Sequence, residues 1–274
     1  MHVREIERIE TKSVTSRTLI LVAVIPCVVL LVVVLALILA AGAPAVVMLP
    51  LVAAISGAWA WSVSRSTSAA EDFCVAMFGA DVADDVQYAR LHNVTEGLCL
   101  SLGMNKPRLM VFTHDAPIAA VAAQSGSAGT ILVADGFART MDRMEHEAVV
   151  AHLLSRLRAG DVAARCGWLA LDAFLSRIGG RGLSALLATR MRPSMSLASA
   201  DDAAVKVTRY PPALVSALEK SREWEGSIDD RLSRASTLFF FADGWGADAD
   251  QPQVPNLGGS SSDADHRIEL LKEA

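Results

Sequence analysis

Apolar residues dominate the beginning of the chain and then give way to a patterned mixture. No Asp, Glu, Lys or Arg occurs between Arg17 and Arg65. Residues 19–41 form a first apolar run, long enough as a helix to cross a hydrocarbon core of about 30 Å. Gly42-Ala43-Pro44 interrupts it. A second run over 46–63 follows, with Trp59 and Trp61 near its end, where aromatic rings favour the lipid–water interface. The pattern predicts a transmembrane helical hairpin over 18–64. A secretory leader fits less well, because the first run is long, a second follows at once and the basic head is extended.

Beyond Arg65 the spacing changes. Over 84–102 apolar positions recur at helical spacing (Tyr88, Leu91, Val94, Leu98, Leu102), and Gly103 is a stop. Three short apolar stretches, 109–112, 118–123 and 130–133, read as strands. The last two are joined by Ser125-Gly126-Ser127-Ala128-Gly129, which suggests a small meander with a flexible hairpin turn. That turn does not match G-x-S-x-G and no helix follows Ser127, so it is not a serine-nucleophile loop. Residues 141–178 read as mostly helical. Asp142 is an N-cap with Glu145 three residues on, and Val149, Val150, Leu153, Leu154 and Leu157 form a broad buried stripe. Arg165, Asp172, Arg177 and Arg181 exclude another membrane crossing there. Further helices are expected over 198–207 and from Pro211-Pro212. A mobile loop rich in Asp, Gly, Ser and Pro is expected over 248–265, and a short closing helix over 266–272. The fold class is α+β, mostly helical, with a small β-sheet behind the two-helix hairpin.

Charge sets the orientation. Arg4, Arg8, Lys12 and Arg17 precede the first run, Arg65 closes the second, and the turn between them is uncharged. The positive-inside rule then places both ends in the cytoplasm of a bacterial cell, on the inner membrane. Three parts follow: a cytoplasmic segment 1–17, the hairpin 18–64 and a cytoplasmic domain 65–274. The net charge of −5 over 274 residues gives no footprint for nucleic acid. Cys27, Cys74, Cys99 and Cys166 form no C-x-x-C pair and read as free thiols in a reducing compartment.

The candidate chemistry lies in Ala151-His152-Leu153-Leu154-Ser155-Arg156. In an H-E-x-x-H helix two histidines four apart face one zinc ion, and the glutamate between them takes a proton from the metal-bound water. Here His152 is present, but Leu153 stands at the glutamate's place and Arg156 at the second histidine's. Leucine accepts no proton, and arginine offers no lone pair to a cation.

The region from about Val86 onward resembles the HtpX-type membrane zinc endopeptidases, a gluzincin family. The resemblance is carried by Tyr88-Ala89-Arg90-Leu91-His92-Asn93-Val94-Thr95-Glu96, Met104-Asn105-Lys106-Pro107-Arg108-Leu109, the 141–161 stretch with its trailing Asp161, Ala200-Asp201 and Val207-Thr208-Arg209-Tyr210-Pro211. Thr237-Leu238-Phe239-Phe240 and His266-Arg267-Ile268-Glu269-Leu270-Leu271 complete it. It implies a gluzincin-like domain. It also implies that the third zinc ligand, four residues before the aspartate, falls on Leu197. The family's substrate-holding edge strand carries an asparagine after a proline, where this chain has Pro117-Ile118.

The expectation is a zinc-free centre: no catalytic residue, metal ligand or cofactor, with His152 and Asp201 kept within hydrogen-bond reach. Arg156 is expected to reach solvent or to pair with Asp202. The function expected is that of an HtpX-like pseudoprotease, not an enzyme. It would be anchored in the lipid bilayer and act as a protein-binding scaffold or regulator, with unidentified protein partners in an envelope-stress, phage-shock-type setting. The alternatives are a metal-dependent membrane endopeptidase using substitute ligands (His146, Glu147, Asp201, Asp202) and a plain structural membrane protein.

Overall fold

A computed structural model describes residues 28, 32, 45–124, 128–177, 196–224, 228–240 and 264–273. The described chain forms two compact units, Met1–Ser68 and Ala69–Ala274. In the first, Val28 and Val32 are helical and the remainder of the first predicted span lies outside the described residues. The second predicted span falls in helix α1, Ala45–Ser68, which contains Pro50 and ends on Arg65 in its last turn. Among the described residues no helix is long and apolar enough to cross a membrane.

The second unit is a helical body around one small mixed sheet. Its elements are α2 (Ala70–Phe78), β1 (Asp81–Val82), α3 (Ala89–Leu102), β2 (Arg108–Phe112), β3 (Ala119–Ala122) and β4 (Thr130–Ala134). Then come α4 (Asp135–Thr140), α5 (Arg143–Ala159), α6 (Asp161–Arg177), α7 (Leu197–Thr208), α8 (Pro211–Arg222), α9 (Asp230–Arg234), a tight turn at Ser236–Leu238 and α10 (Ala264–Glu273).

The sheet order is β1-β2-β4-β3. The expected meander is corrected: β2 pairs with β4 in parallel, Leu109 opposite Ile131, while β1 pairs with β2 and β3 with β4 in antiparallel fashion. Every residue of β4 is buried, as a strand enclosed on both sides requires. The path from β2 to β3 passes Gly136, where an added Cβ would lie 2.0 Å from the Asp115 carbonyl oxygen and 2.6 Å from that of Ala116. β1 and the two helices α2 and α4 were not foreseen, and the 125–127 turn lies outside the described residues.

Helix limits follow from side-chain chemistry. α3 starts at Ala89 rather than 84, because Asp84 Oδ1 accepts from the backbone N–H groups of Val86 and Gln87 at 2.9 and 2.8 Å. That local turn competes with helix. Gly103 ends α3 in the left-handed conformation (φ 62°). α5 opens with a full capping box: Asp142 accepts from Glu145 N–H, and Glu145 accepts from Asp142 N–H. Glu145 also receives Ser216 and Lys220 at 2.6 and 2.7 Å, tying α8 to the start of α5. Gly160 (φ 77°) separates α5 from α6, so the expected single helical stretch is two helices. α10 begins at Ala264, inside the predicted loop, whose 248–263 part lies outside the described residues.

One buried group fastens the sheet. Glu71 on α2 accepts from Thr130 Oγ1 (2.7 Å), Arg108 Nη2 (3.0 Å) and Gln124 N–H (3.0 Å). In α5, Ala148 to Arg156 are buried without interruption, which makes it the central helix of the unit rather than a surface one.

Gly136→Ala is expected to lower stability by about 1–3 kcal/mol, since the clash is with backbone that cannot swing aside. Urea denaturation of the full chain in detergent checks this; a midpoint equal to wild type would show that the 113–118 crossing yields easily.

Candidate functional site

The central position of α5 puts its motif residues in the core. His152 has no exposed surface, and its Nδ1 lies 2.7 Å from Asp201 Oδ1 on α7. Asp201 is in turn gripped by Arg267 of α10: Nε donates to Oδ2 at 2.6 Å and Nη2 to Oδ1 at 2.8 Å. This fork is the bidentate arrangement that fixes a guanidinium and a carboxylate in one plane. Arg267 donates its Nη1 to the Phe240 carbonyl at 2.9 Å. The structure thus brings together two residues singled out from sequence and adds a third, Arg267. Arg267 was part of the resemblance, but nothing in its own spacing marked it as a partner of Asp201.

Protonation follows from these contacts. Burial pushes the His152 imidazole down to about 4, against the opposing pull of Asp201. It is neutral at pH 7, with the proton on Nδ1 donated to Asp201. Burial pushes the Asp201 carboxyl up, but the Arg267 charge and the hydrogen bonds from His152 and Arg267 outweigh it and hold the group below its ordinary value. Asp201 is therefore an anion between one cation and one neutral donor. His152 Nε2 is buried and has no hydrogen-bond partner among the described residues.

Arg156 does not reach solvent and does not meet Asp202; both expectations are corrected. Its side chain is 1% exposed. Nη1 donates to the carbonyls of Leu238 (3.2 Å) and Phe239 (2.9 Å), and Nη2 lies 3.4 Å from Asp161 Oδ2. Asp161, the first residue of α6, also takes Arg165 Nε at 2.7 Å. Burial pulls Arg156 down to about 10, which leaves it charged at neutral pH. The physical reason is distance along the core: from the middle of a central helix, three backbone and side-chain oxygens are nearer than water. Asp202, on the outer side of α7, pairs with Lys206 in the next turn.

Leu153 and Leu197 are both buried, at 0% and 3% exposure, and Leu153 belongs to the apolar core. Burying a leucine contributes about 1.5–3 kcal/mol each. The substitute donors do not converge either. His146 Nδ1 sits 2.7 Å from the Asp142 carbonyl, and its ring packs edge-on against Phe137 at 4.8 Å. Among the described residues no group of three or more His, Cys, Asp and Glu side chains is placed to hold a metal ion. Among the described residues, zinc, which the H-E-x-x-H pattern implies, does not fit the motif positions: one imidazole remains, with Leu153 and Arg156 at the places of the glutamate and the second histidine.

The chain is similar to several curated proteins that share one name. It is 27% identical to a protease HtpX homolog of Dictyoglomus thermophilum over 164 residues, 49% of this chain and 54% of that protein. It is 28% identical to protease HtpX homolog 1 of Streptomyces coelicolor over 248 residues, 78% of this chain and 76% of that protein. A protease HtpX homolog of Caldanaerobacter subterraneus is 32% identical over 84 residues, 28% of its length. The chain spans about half the length of the first of these relatives and less than a third of the last. No family model matches it, and no solved structure matches it. At this modest identity the names support a relationship to the HtpX family. They also correct one expectation from the sequence. The chain was expected not to be an enzyme, whereas the relatives' names point to a protease.

Asp201→Asn is expected to destabilise the domain by about 3–5 kcal/mol, because it leaves the Arg267 guanidinium buried without its counter-charge. Chemical denaturation reads this directly, and a loss below the error of the measurement would deny the fork its role. Stability should also fall between pH 7 and pH 4. His152 titrates near 4 when folded and near its ordinary 6.5 when unfolded, so the unfolded chain binds more protons in that window. His152→Gln, which cannot titrate, should show a shallower fall over the same window; an unchanged slope would assign the effect elsewhere.

Proposed function

We propose that this chain is a membrane-anchored, HtpX-like protein of the bacterial inner membrane that works by binding other proteins, as a scaffold or regulator. The His152 centre serves as a structural, metal-free core. The observation that carries the reading is the use made of the motif positions. Leu153 and Leu197 are packing, Arg156 is bound to carbonyls and Asp161, and His152 is held by Asp201.

The anchor is the hairpin 18–64, with the N-terminus and the domain 65–274 in the cytoplasm. Support comes from α1. Leu51, Ile55 and Trp61 present large exposed apolar surface on an element without charge until Arg65. Arg65 lies over the Trp61 ring at 5.7 Å, a pairing suited to the lipid–water boundary. A phage-shock-type envelope stress response is the setting proposed for the unidentified protein partners.

A second reading has its own observation. His152 Nε2 is a buried lone pair with no partner among the described residues, and the relatives are named proteases. A metal-dependent membrane endopeptidase that completes its ligand set with substitute residues is consistent with both.

Metal analysis of the full chain, purified in detergent without chelators, separates the two. The first reading expects less than about one-tenth of a zinc ion per chain, as a site lacking convergent ligands requires. One zinc per chain, lost in His152→Ala along with cleavage of a casein substrate, would establish the second. Crosslinking from native membranes should recover a defined partner with the full chain and not with an unrelated two-span protein at equal abundance. Equal recovery from both would remove the scaffold role.

A further inference from the structure

We infer that Phe239 and Phe240, which follow the tight turn at Ser236–Leu238, form a built-in cover strand on the outer edge of the sheet, and that Arg156 is its latch. β3 is the outermost strand, with β4 along one side. On its other side Phe239 bridges antiparallel to Ala120, and Phe240 N–H donates to the Ala119 carbonyl at 3.1 Å.

What distinguishes this segment from an ordinary passing loop is the treatment of its backbone. Three consecutive carbonyls are taken by buried guanidinium groups. Arg156 holds those of Leu238 and Phe239, and Arg267 holds that of Phe240. The side chains of Phe239 and Phe240 find aromatic neighbours on different elements. Phe239 packs against Phe78 with ring centroids 6.0 Å apart, and Phe240 against Phe137 at 6.2 Å. Both phenylalanines are fully buried.

An open strand edge is a template on which any extended polypeptide adds by backbone pairing. Here the template is filled from within the same chain. The residue that pins the filler stands on the motif helix at the place where an H-E-x-x-H sequence has its second histidine. The substitution thus converts a metal-ligand position into an anchor for backbone oxygens. An extended polypeptide pairs with β3 only after residues 238–240 have left. That last statement rests on the protein-binding reading above; the cover strand and its latch do not.

Hydrogen exchange of the full chain in phosphatidylglycerol-containing nanodiscs tests the latch, followed by mass spectrometry of peptides covering 119–122, 130–134 and 236–240. In the wild type the amides of 238–240 should be protected like those of β4. Arg156→Met keeps the length and apolar bulk but removes the donors. It should speed exchange in 236–240 and 119–122 by about tenfold or more while leaving 130–134 unchanged, as local opening of a cover predicts. Phe240→Pro removes the N–H donated to Ala119 and serves as a second route should Arg156→Met not fold. The probe for the edge is a fluorescein-labelled, Ala/Val-rich extended heptapeptide. It should bind Phe240→Pro about tenfold or more tighter than wild type. Folded variants that exchange like wild type, or a wild type that binds the probe as tightly as Phe240→Pro, would overturn the inference. Faster exchange without probe binding would uphold the cover strand and count against the protein-binding reading alone.

Discussion

A single buried carboxylate organises the domain. Asp201 accepts from Arg267 through two oxygens and from His152 through one. It thereby joins α5, α7 and α10, three elements far apart in the chain. None of the three groups is tolerable alone in an apolar interior. An unpaired aspartate takes up a proton, an unpaired arginine carries its desolvation cost uncompensated, and a neutral histidine wants an acceptor for its N–H. Together they compensate one another, and the helices that carry them are bound to one geometry.

Zinc in an H-E-x-x-H domain does something similar from the other side of the imidazole, by drawing ligands from two helices to one point. In this chain α5 and α7 are joined by the His152–Asp201 hydrogen bond, Leu153 and Leu197 are buried apolar side chains, and Arg156 reaches the Leu238 and Phe239 carbonyls.

How legible was this in the sequence? Local chemistry was: the Asp142–Glu145 capping box, the Gly103 stop and the Pro211 start lie where spacing put them, because each depends on neighbours within four residues. The strand stretches were visible as apolar runs, but their order was not. Nothing in Leu109–Phe112 says whether it lies beside β3 or β4, since pairing partners are chosen by the three-dimensional core. The short helices α2 and α4 were missed because six to nine residues show too little periodicity. At the site, His152 and Asp201 could be joined through the family pattern. The destination of Arg156 could not be read, because its acceptors are backbone carbonyls eighty residues on, and a carbonyl carries no sequence signature.

The arginines also account for the neutral state of His152. Around the motif lie three buried guanidinium groups, Arg156, Arg165 and Arg267, and two carboxylates, Asp161 and Asp201. The carbonyl oxygens of Leu238, Phe239 and Phe240 also accept from Arg156 and Arg267. A protonated His152 would add a further cation to this buried, low-dielectric cluster. Burial therefore acts first, and the positive charges of Arg267 and Arg156 push in the same direction. Asp201 opposes them, and its hydrogen bond and charge each act more strongly on His152 than either arginine, but burial outweighs it.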